Sequence, residues 1–294
     1  MSALTVAGIV RVTGLLLVAG AALVLALFLV PSKRAAAREI FAAMLSMLVV
    51  AGTILAVFWF GTATLLAFMA LLAARAGYEA GAVLLGRQRG LAVGAGAAIL
   101  AALAMGQPLA APACAGLWLL LFARQLLRPG RTDGVPGTLA QLLLYPLLPL
   151  AVLAHAVLDP ELRPLMLAIY VLVELFDSGA YAIGKLVGRR PAFPVLSPRK
   201  TVEGLIGGAV CLMAIAAGIA AAAGLSVPGA VLLALLSGLF GVAGDLGASR
   251  LKRRAGVKDF PVVLKRQGGA LDVFDSWISA GAAIAVLILL RGLL

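Results

Sequence analysis

The sequence predicts an all-α fold, a polytopic transmembrane helical bundle of about nine to ten spans. Three observations predict it. Of 294 residues, 63% are hydrophobic and only 12% charged, with a mean hydropathy of +1.12, whereas soluble domains are nearer half apolar and a quarter charged. Apolar runs of about twenty residues, the length that crosses a bilayer core, recur along the chain between Gly, Pro and short basic loops. Long polar passages are confined to the C-terminal half, at residues 188–204 and 244–275.

Taken in order, the first span covers residues 9–30 and is stopped by Pro31 and the basic loop of Lys33, Arg34 and Arg38. It is long enough to remain a span, so no cleavable leader is expected. Spans at 40–60 and 62–81 follow, separated only by Gly61. A fourth covers 91–105, is turned by Gln107-Pro108, and leads to a fifth at 109–127. The passage RPGRTDGVPG, with Arg128, Arg131 and Asp133, has a composition that opposes regular structure. The sixth span, 139–158, contains Pro146 and Pro149, both placed to kink it. The seventh, 164–185, is followed by the segment GRRPAFPVLSPRKTVEG, then by spans at 205–225, 228–243 and 277–290.

A net charge of +12 in a soluble protein would suggest nucleic acid. Here the cations sit in short loops, and alternation places all but Arg11, Arg163 and Arg291 of the 24 Lys and Arg on one face. That asymmetry marks the cytoplasmic face, puts both termini outside, and points to an anionic ligand rather than nucleic acid. The expected location is the cytoplasmic (inner) membrane, with the active site at its cytoplasmic face. Residues 1–135 read as N-terminal transmembrane helices with little motif content. Residues 136–294 read as the catalytic region, with cytoplasmic loops at 185–204 and 246–275.

Intramembrane acids are expensive and read as functional by default. Glu174 and Asp177 lie one helical turn apart on the seventh span. Asp245 follows Gly244 at the end of the ninth span, while Asp272 and Asp275 stand at i, i+3 where the tenth can begin. Between them lie Arg250, Lys252, Arg253, Arg254, Lys258, Lys265 and Arg266. Carboxylates at membrane edges beside a basic loop suggest a divalent metal holding a polyphosphate, with the loop neutralising the remaining charge. In SPRKTVEG, Arg199 and Lys200 offer phosphate contacts, and Ser197, Thr201 and Glu203 can cap the eighth span. His155, the single histidine, has no acid in its own turn and reads as interfacial, and Cys114 and Cys211 read as small packing residues. One peripheral histidine excludes serine–histidine and cysteine–histidine nucleophile sets.

The motifs DSGAYAIGKLVG (177–188), SPRKTVEGLIGG (197–208), Gly244-Asp245, SRLKRRAGVKD (249–259) and QGGALDVFD (267–275), in this order, resemble the phosphatidate cytidylyltransferase (CDP-diacylglycerol synthase) family. The resemblance covers residues 177–275, and the preceding spans match it in hydropathy. It implies that the chain joins CTP and phosphatidic acid to give CDP-diacylglycerol and pyrophosphate. It also implies that Asp245 and Asp272 hold Mg2+, with Asp275 and Asp177 supporting the metal or positioning nearby cations. Lys252, Arg253 and Lys258 would then meet nucleotide phosphates. Ser197, Arg199, Lys200 and Thr201 would meet the phosphate of the lipid or of CTP, and Gly268 and Gly269 would let the backbone approach a phosphate. The residues expected to carry catalysis are Asp245, Asp272, Lys258 and Lys200. A monovalent cation such as K+ is implied by the family alone.

The chain departs from the family pattern at six positions. Lys265, Arg266 and Gln267 stand for Pro-Gly-His, Val273 for an arginine between the two closing acids, Val202 for a tryptophan, and Pro261 for a small residue. Two rival readings remain open: a paralogue activating another lipid phosphate, and a non-catalytic lipid-binding membrane protein. A transporter should show paired broken helices in two related halves, and the polar motifs here are all C-terminal. Stretches of small residues permit close helix packing within or between chains, which leaves a homodimer open.

Overall fold

Long apolar stretches can satisfy their backbone in a bilayer only by hydrogen bonding within themselves, and helices result. The computed structural model describes residues 4–127, 134–263 and 268–293. Its helices are α1 (Val6–Leu27), α2 (Arg34–Phe60), α3 (Thr62–Leu85), α4 (Arg87–Gly106), α5 (Ala110–Leu127), α6 (Gly134–Leu142), α7 (Leu148–Leu158), α8 (Arg163–Val187), α9 (Val202–Ala222), α10 (Val227–Arg254) and α11 (Ala270–Leu293). With α6 and α7 taken as one broken span, ten helical segments of the described residues are long and apolar enough to cross a membrane. The fold is an all-α polytopic transmembrane bundle. Its one described sheet is a two-stranded antiparallel pair, β1 (Pro191–Phe193) and β2 (Ser197–Thr201).

The chain divides into two compact units, with the division falling within α8 and α10. One unit comprises residues 1–60 and 167–239. Within it α8 and α9 meet backbone to backbone: a Cβ on Gly204 would lie 2.6 Å from the Ala180 carbonyl, and one on Gly208 would lie 2.8 Å from the Ala180 nitrogen. Small residues at the crossing permit that approach. The β1–β2 pair and the first turn of α9 sit at the end of this packed pair, joined by the bond from the Val202 amide to the Arg190 carbonyl (2.9 Å).

The other unit comprises residues 61–166 and 240–294. Its core gathers Leu65, Met69, Leu148, Leu150, Leu153, Met166 and Trp277, all essentially inaccessible to solvent. The Trp277 indole N–H donates to the Met166 carbonyl at 3.1 Å, so the ring is buried without an unpaired donor. α3 and α4 pack tightly, with the Gly94 Cβ position 2.6 Å from the Ala74 carbonyl. Gly61 makes the one-residue break before α3 at φ +91°, a backbone state that side-chain-bearing residues avoid.

Several boundaries differ from the sequence reading, each for a local reason. The ninth span does not stop at residue 243 but continues as helix to Arg254, because Lys252, Arg253 and Arg254 suit a helix C-terminus. The tenth begins at Ala270 rather than 277, since carboxylates cap it there. The sixth span breaks at Tyr145 (φ −160°, ψ 126°) beside Pro146, as expected, whereas Pro149 sits in the first turn of α7, where a missing N–H costs nothing. Gly134–Leu142 is helical despite its Gly and Pro content. Arg128, Arg131 and Asp133 lie outside the described residues.

Candidate functional site

The first amides of a helix have no partner within it. At α11 they are taken by carboxylates. The Gly269 N–H donates to Asp272 Oδ2 (2.9 Å), so Asp272 reaches back three residues in the manner of a capping box. Glu79 of α3 takes the next two amides, Ala270 at 2.9 Å and Leu271 at 2.8 Å. Asp272 Oδ2 also accepts the Phe260 N–H (3.1 Å), and its Oδ1 pairs with Lys252 Nζ of α10 at 2.5 Å. This pair is nearly dry, with 11% of the Lys252 and 9% of the Asp272 side chain exposed. The Lys252 ammonium also lies 5.3 Å from the centre of the Phe260 ring. Gly268 turns the chain into the helix at φ +88°, and a Cβ there would collide with Asp272 Oδ2.

Asp245 and Asp275 lie with Asp272 near Tyr145. The Tyr145 hydroxyl donates to the Asp275 carbonyl (3.2 Å), and the carboxylates of Asp275, Asp245 and Asp272 all act electrostatically on it. Asp275 is buried, with its Oδ1 accepting the Ser276 N–H. Asp245 is half-buried and follows Gly244, whose Cα packs against the Asp275 carbonyl and Ser279. Among the described residues no group of three or more His, Cys, Asp or Glu stands at metal-ligand spacing. Arg253 donates to the Val257 carbonyl (3.1 Å), and both Arg253 and Lys258 are exposed to solvent. Val273 is half-buried, while Lys265, Arg266 and Gln267 lie outside the described residues.

In the other unit the start of α9 forms a second charged group. Thr201 Oγ1 caps it by accepting the Gly204 N–H (3.1 Å). Ser197, read as a possible cap, instead pairs with Phe193 in the hairpin. Glu203 does not cap its own helix: its carboxylate accepts the amides of Arg189 (3.0 Å) and Arg190 (3.1 Å) and the Arg190 guanidinium (2.9 Å), fastening the segment after α8. Lys200 lies 3.6 Å from Asp177, and Arg199 is exposed. The sequence residues thus assemble as Asp272 with Lys252, Gly268 and Gly269 in one unit, and as Asp177 with Lys200 in the other.

Residue-by-residue reading of the sequence missed five contributors. Glu79 and Arg75 are the largest omission, since an acid and a base four residues apart inside an apolar span were a legible signal. Tyr145 gave no such signal. Lys33 was read only as topology and Glu39 not at all, yet Lys33 Nζ donates to the Leu186 carbonyl (3.2 Å) and Glu39 pairs with Lys185 (2.5 Å) at the end of α8.

Comparison with known proteins bears on this arrangement. A family model described as the cytidylyltransferase family matches residues 3–291. The chain belongs to the cytidylyltransferase family. It is similar to the phosphatidate cytidylyltransferases of Staphylococcus aureus (strain COL) and Staphylococcus haemolyticus (strain JCSC1435), each 40% identical over 111 residues, or 37% of this chain and 43% of the relative. The phosphatidate cytidylyltransferase of Bacillus subtilis (strain 168) is 45% identical over 104 residues, 35% of this chain and 39% of the relative. The chain therefore matches these family members over less than half of their length.

Proposed function

We propose that this cytidylyltransferase-family chain is a membrane nucleotidyltransferase joining CTP and phosphatidic acid to give CDP-diacylglycerol and pyrophosphate. The observation that carries the reading is Asp272, held at the start of α11 by two amides and the Lys252 ammonium. It lies within the passage that resembles the family motifs. The similarity to phosphatidate cytidylyltransferases supports the same reaction class.

The chemistry asks little of a general base. A phosphate monoester has a second pKa of about 6 and is already largely dianionic near neutral pH. A lipid phosphate oxygen attacks the α-phosphorus of CTP, the bond from that phosphorus to the bridging oxygen breaks, and pyrophosphate departs with the electron pair. The protein's task is to align the two phosphates and neutralise their charge. Exposed Arg253 and Lys258 are accessible to nucleotide phosphates, and Lys252, paired with Asp272, precedes Arg253 at the end of α10. Ser197, Arg199, Lys200 and Thr201 form the corresponding group for the lipid phosphate or for CTP, as the resemblance implies.

The donor set fits Mg2+. It consists of carboxylate oxygens, and Mg2+ commonly takes one or two of these together with substrate phosphates and water, so a cluster of three acids is not required. Asp245 and Asp272 would hold it, with Asp275 in support; a supporting role for Asp177, which belongs to the other unit, rests on the resemblance alone, as does K+ as the proposed monovalent partner. Bound Mg2+ supplies charge screening at the triphosphate and favours the leaving pyrophosphate. The reaction is placed at the cytoplasmic face of the inner membrane, where the basic loops fall by alternation.

The test is transfer of label from CTP into lipid by the purified protein in detergent with Mg2+ and phosphatidic acid. Lipid-dependent incorporation that Asp272→Ala reduces at least a thousandfold supports the reading. Folded protein that labels no lipid phosphate overturns it. A second reading, activation of a different lipid phosphate, is favoured by Val273 and Gln267 standing where the family pattern has cationic or titrating side chains. Competition between phosphatidic acid and lysophosphatidic or isoprenoid-ether phosphates in the same assay separates the two.

A further inference from the structure

Glu79 lies inside α3, far in sequence from the family motifs, and is completely buried. Both of its oxygens are engaged. Oε1 accepts from Arg75 Nε (2.6 Å) and from the Ala270 amide (2.9 Å), and Oε2 accepts from the Leu271 amide (2.8 Å). Arg75 is itself tied twice more: its Nη2 donates to the Pro261 carbonyl (2.7 Å), and its guanidinium lies 5.3 Å from the centre of the Tyr78 ring. A Cβ on Gly269 would meet Glu79 Oε2 at 2.5 Å and the Phe260 Cβ at 2.8 Å, so the chain entering α11 has no slack against this carboxylate.

One ion pair thus joins three segments: α3, the passage around Pro261, and the start of α11. Those last two segments also supply the two amides that hold Asp272, at Phe260 and Gly269. Glu79 takes the amides next in line, which leaves Asp272 to serve Gly269, Phe260 and Lys252. Without Glu79, Asp272 would be the nearest carboxylate for two orphan amides at the positive end of a helix. We propose that Glu79, locked by Arg75, is a positioning residue that sets the placement of Asp272 through the first turn of α11. The proposal rests on the reading of Asp272 as a site residue, and no part of it requires Glu79 to touch substrate or metal.

Residue-resolved hydrogen exchange on the full-length protein in detergent tests it, alongside CTP-dependent lipid labelling. Glu79→Gln places an amide N–H2 where an oxygen accepts now, so Ala270 and Leu271 should exchange at least tenfold faster. The diagnostic amides are Phe260 and Gly269, which bond to Asp272 and not to Glu79. If Glu79 positions Asp272, they accelerate together with the first two, while amides in α5 do not change. In the labelling assay kcat falls at least tenfold with the KM for lipid within twofold. Exchange faster only at Ala270 and Leu271 overturns the proposal, since Glu79 is then a local cap and nothing more. Should Glu79→Gln not purify as a folded protein, Arg75→Lys reads the same four amides, with about threefold acceleration expected and unchanged Phe260 and Gly269 contradicting it. Wild-type protein that labels no lipid overturns the functional reading alone, because the exchange pattern still decides this one.

Discussion

The starts of α9 and α11 solve one problem in two ways. Each must satisfy the first amides of a helix next to a cluster of cations. At α9 a threonine hydroxyl does it, and the nearby acid, Glu203, is turned outward to the Arg189–Arg190 segment with 22% of its side chain exposed, against 74% for Arg190. At α11 two carboxylates do it, Glu79 wholly buried and Asp272 nearly so, each paired with a cation. Exposed pairs contribute little to stability. Buried pairs are costly to assemble and more costly to break, and often no better than apolar packing for stability alone. The α9 arrangement is therefore adequate as a fastening, whereas the α11 arrangement is more than a fastening needs. That excess is the reason to look to α11 for the acid of the proposed reaction.

The largest effect expected from breaking this contrast is at Lys252. Lys252→Met keeps the apolar stem but strands Asp272 in a dry site, a loss of about 3–5 kcal/mol for a broken buried pair. Thermal unfolding in detergent should show a marked drop, and lipid labelling should be lost. Gly244→Val comes next. Its side chain would run into the Asp275 carbonyl and Ser279, and overpacking of that kind costs about 1–3 kcal/mol. Asp245 would be displaced with it, so turnover should fall further than stability does. At α9, Thr201→Ala removes only a cap, worth about 1 kcal/mol, which the same unfolding measurement should read as a shift of about 2–4 °C. Smallest is Lys185→Ala. Its pair with Glu39 is 42% and 57% exposed, so the midpoint should stay within about 2 °C. A loss at Lys185 comparable to that at Lys252 would erase the distinction between the two regions.

The membrane fold was legible because hydropathy and charge asymmetry act over whole segments and do not depend on long-range contacts. Helix ends were less so. Residues 244–254 look like loop by composition, yet basic side chains prolong α10 as readily as they end a span. The C-terminal acids and Lys252 were legible because charged residues cluster there against an apolar background. Glu79 was overlooked for the opposite reason: it sits alone with Arg75 in an otherwise apolar run, and its purpose is visible only once residues 191 and 192 positions away fold onto it. The hairpin at 191–201 was hidden by its brevity, since three- and five-residue strands leave no periodic trace.

The account rests on the claim that the acid at the buried helix start, Asp272, serves the reaction, whereas the acid at the exposed one, Glu203, only fastens the chain. The most direct measurement is turnover of Asp272→Asn beside Glu203→Gln, purified and assayed together for transfer of label from CTP to lipid. Both changes remove one negative charge and keep the side chain's size. The account expects Asp272→Asn to lose turnover by at least a hundredfold and Glu203→Gln to retain more than a third of it. Comparable losses in the two, or a robust Asp272→Asn enzyme, would contradict it.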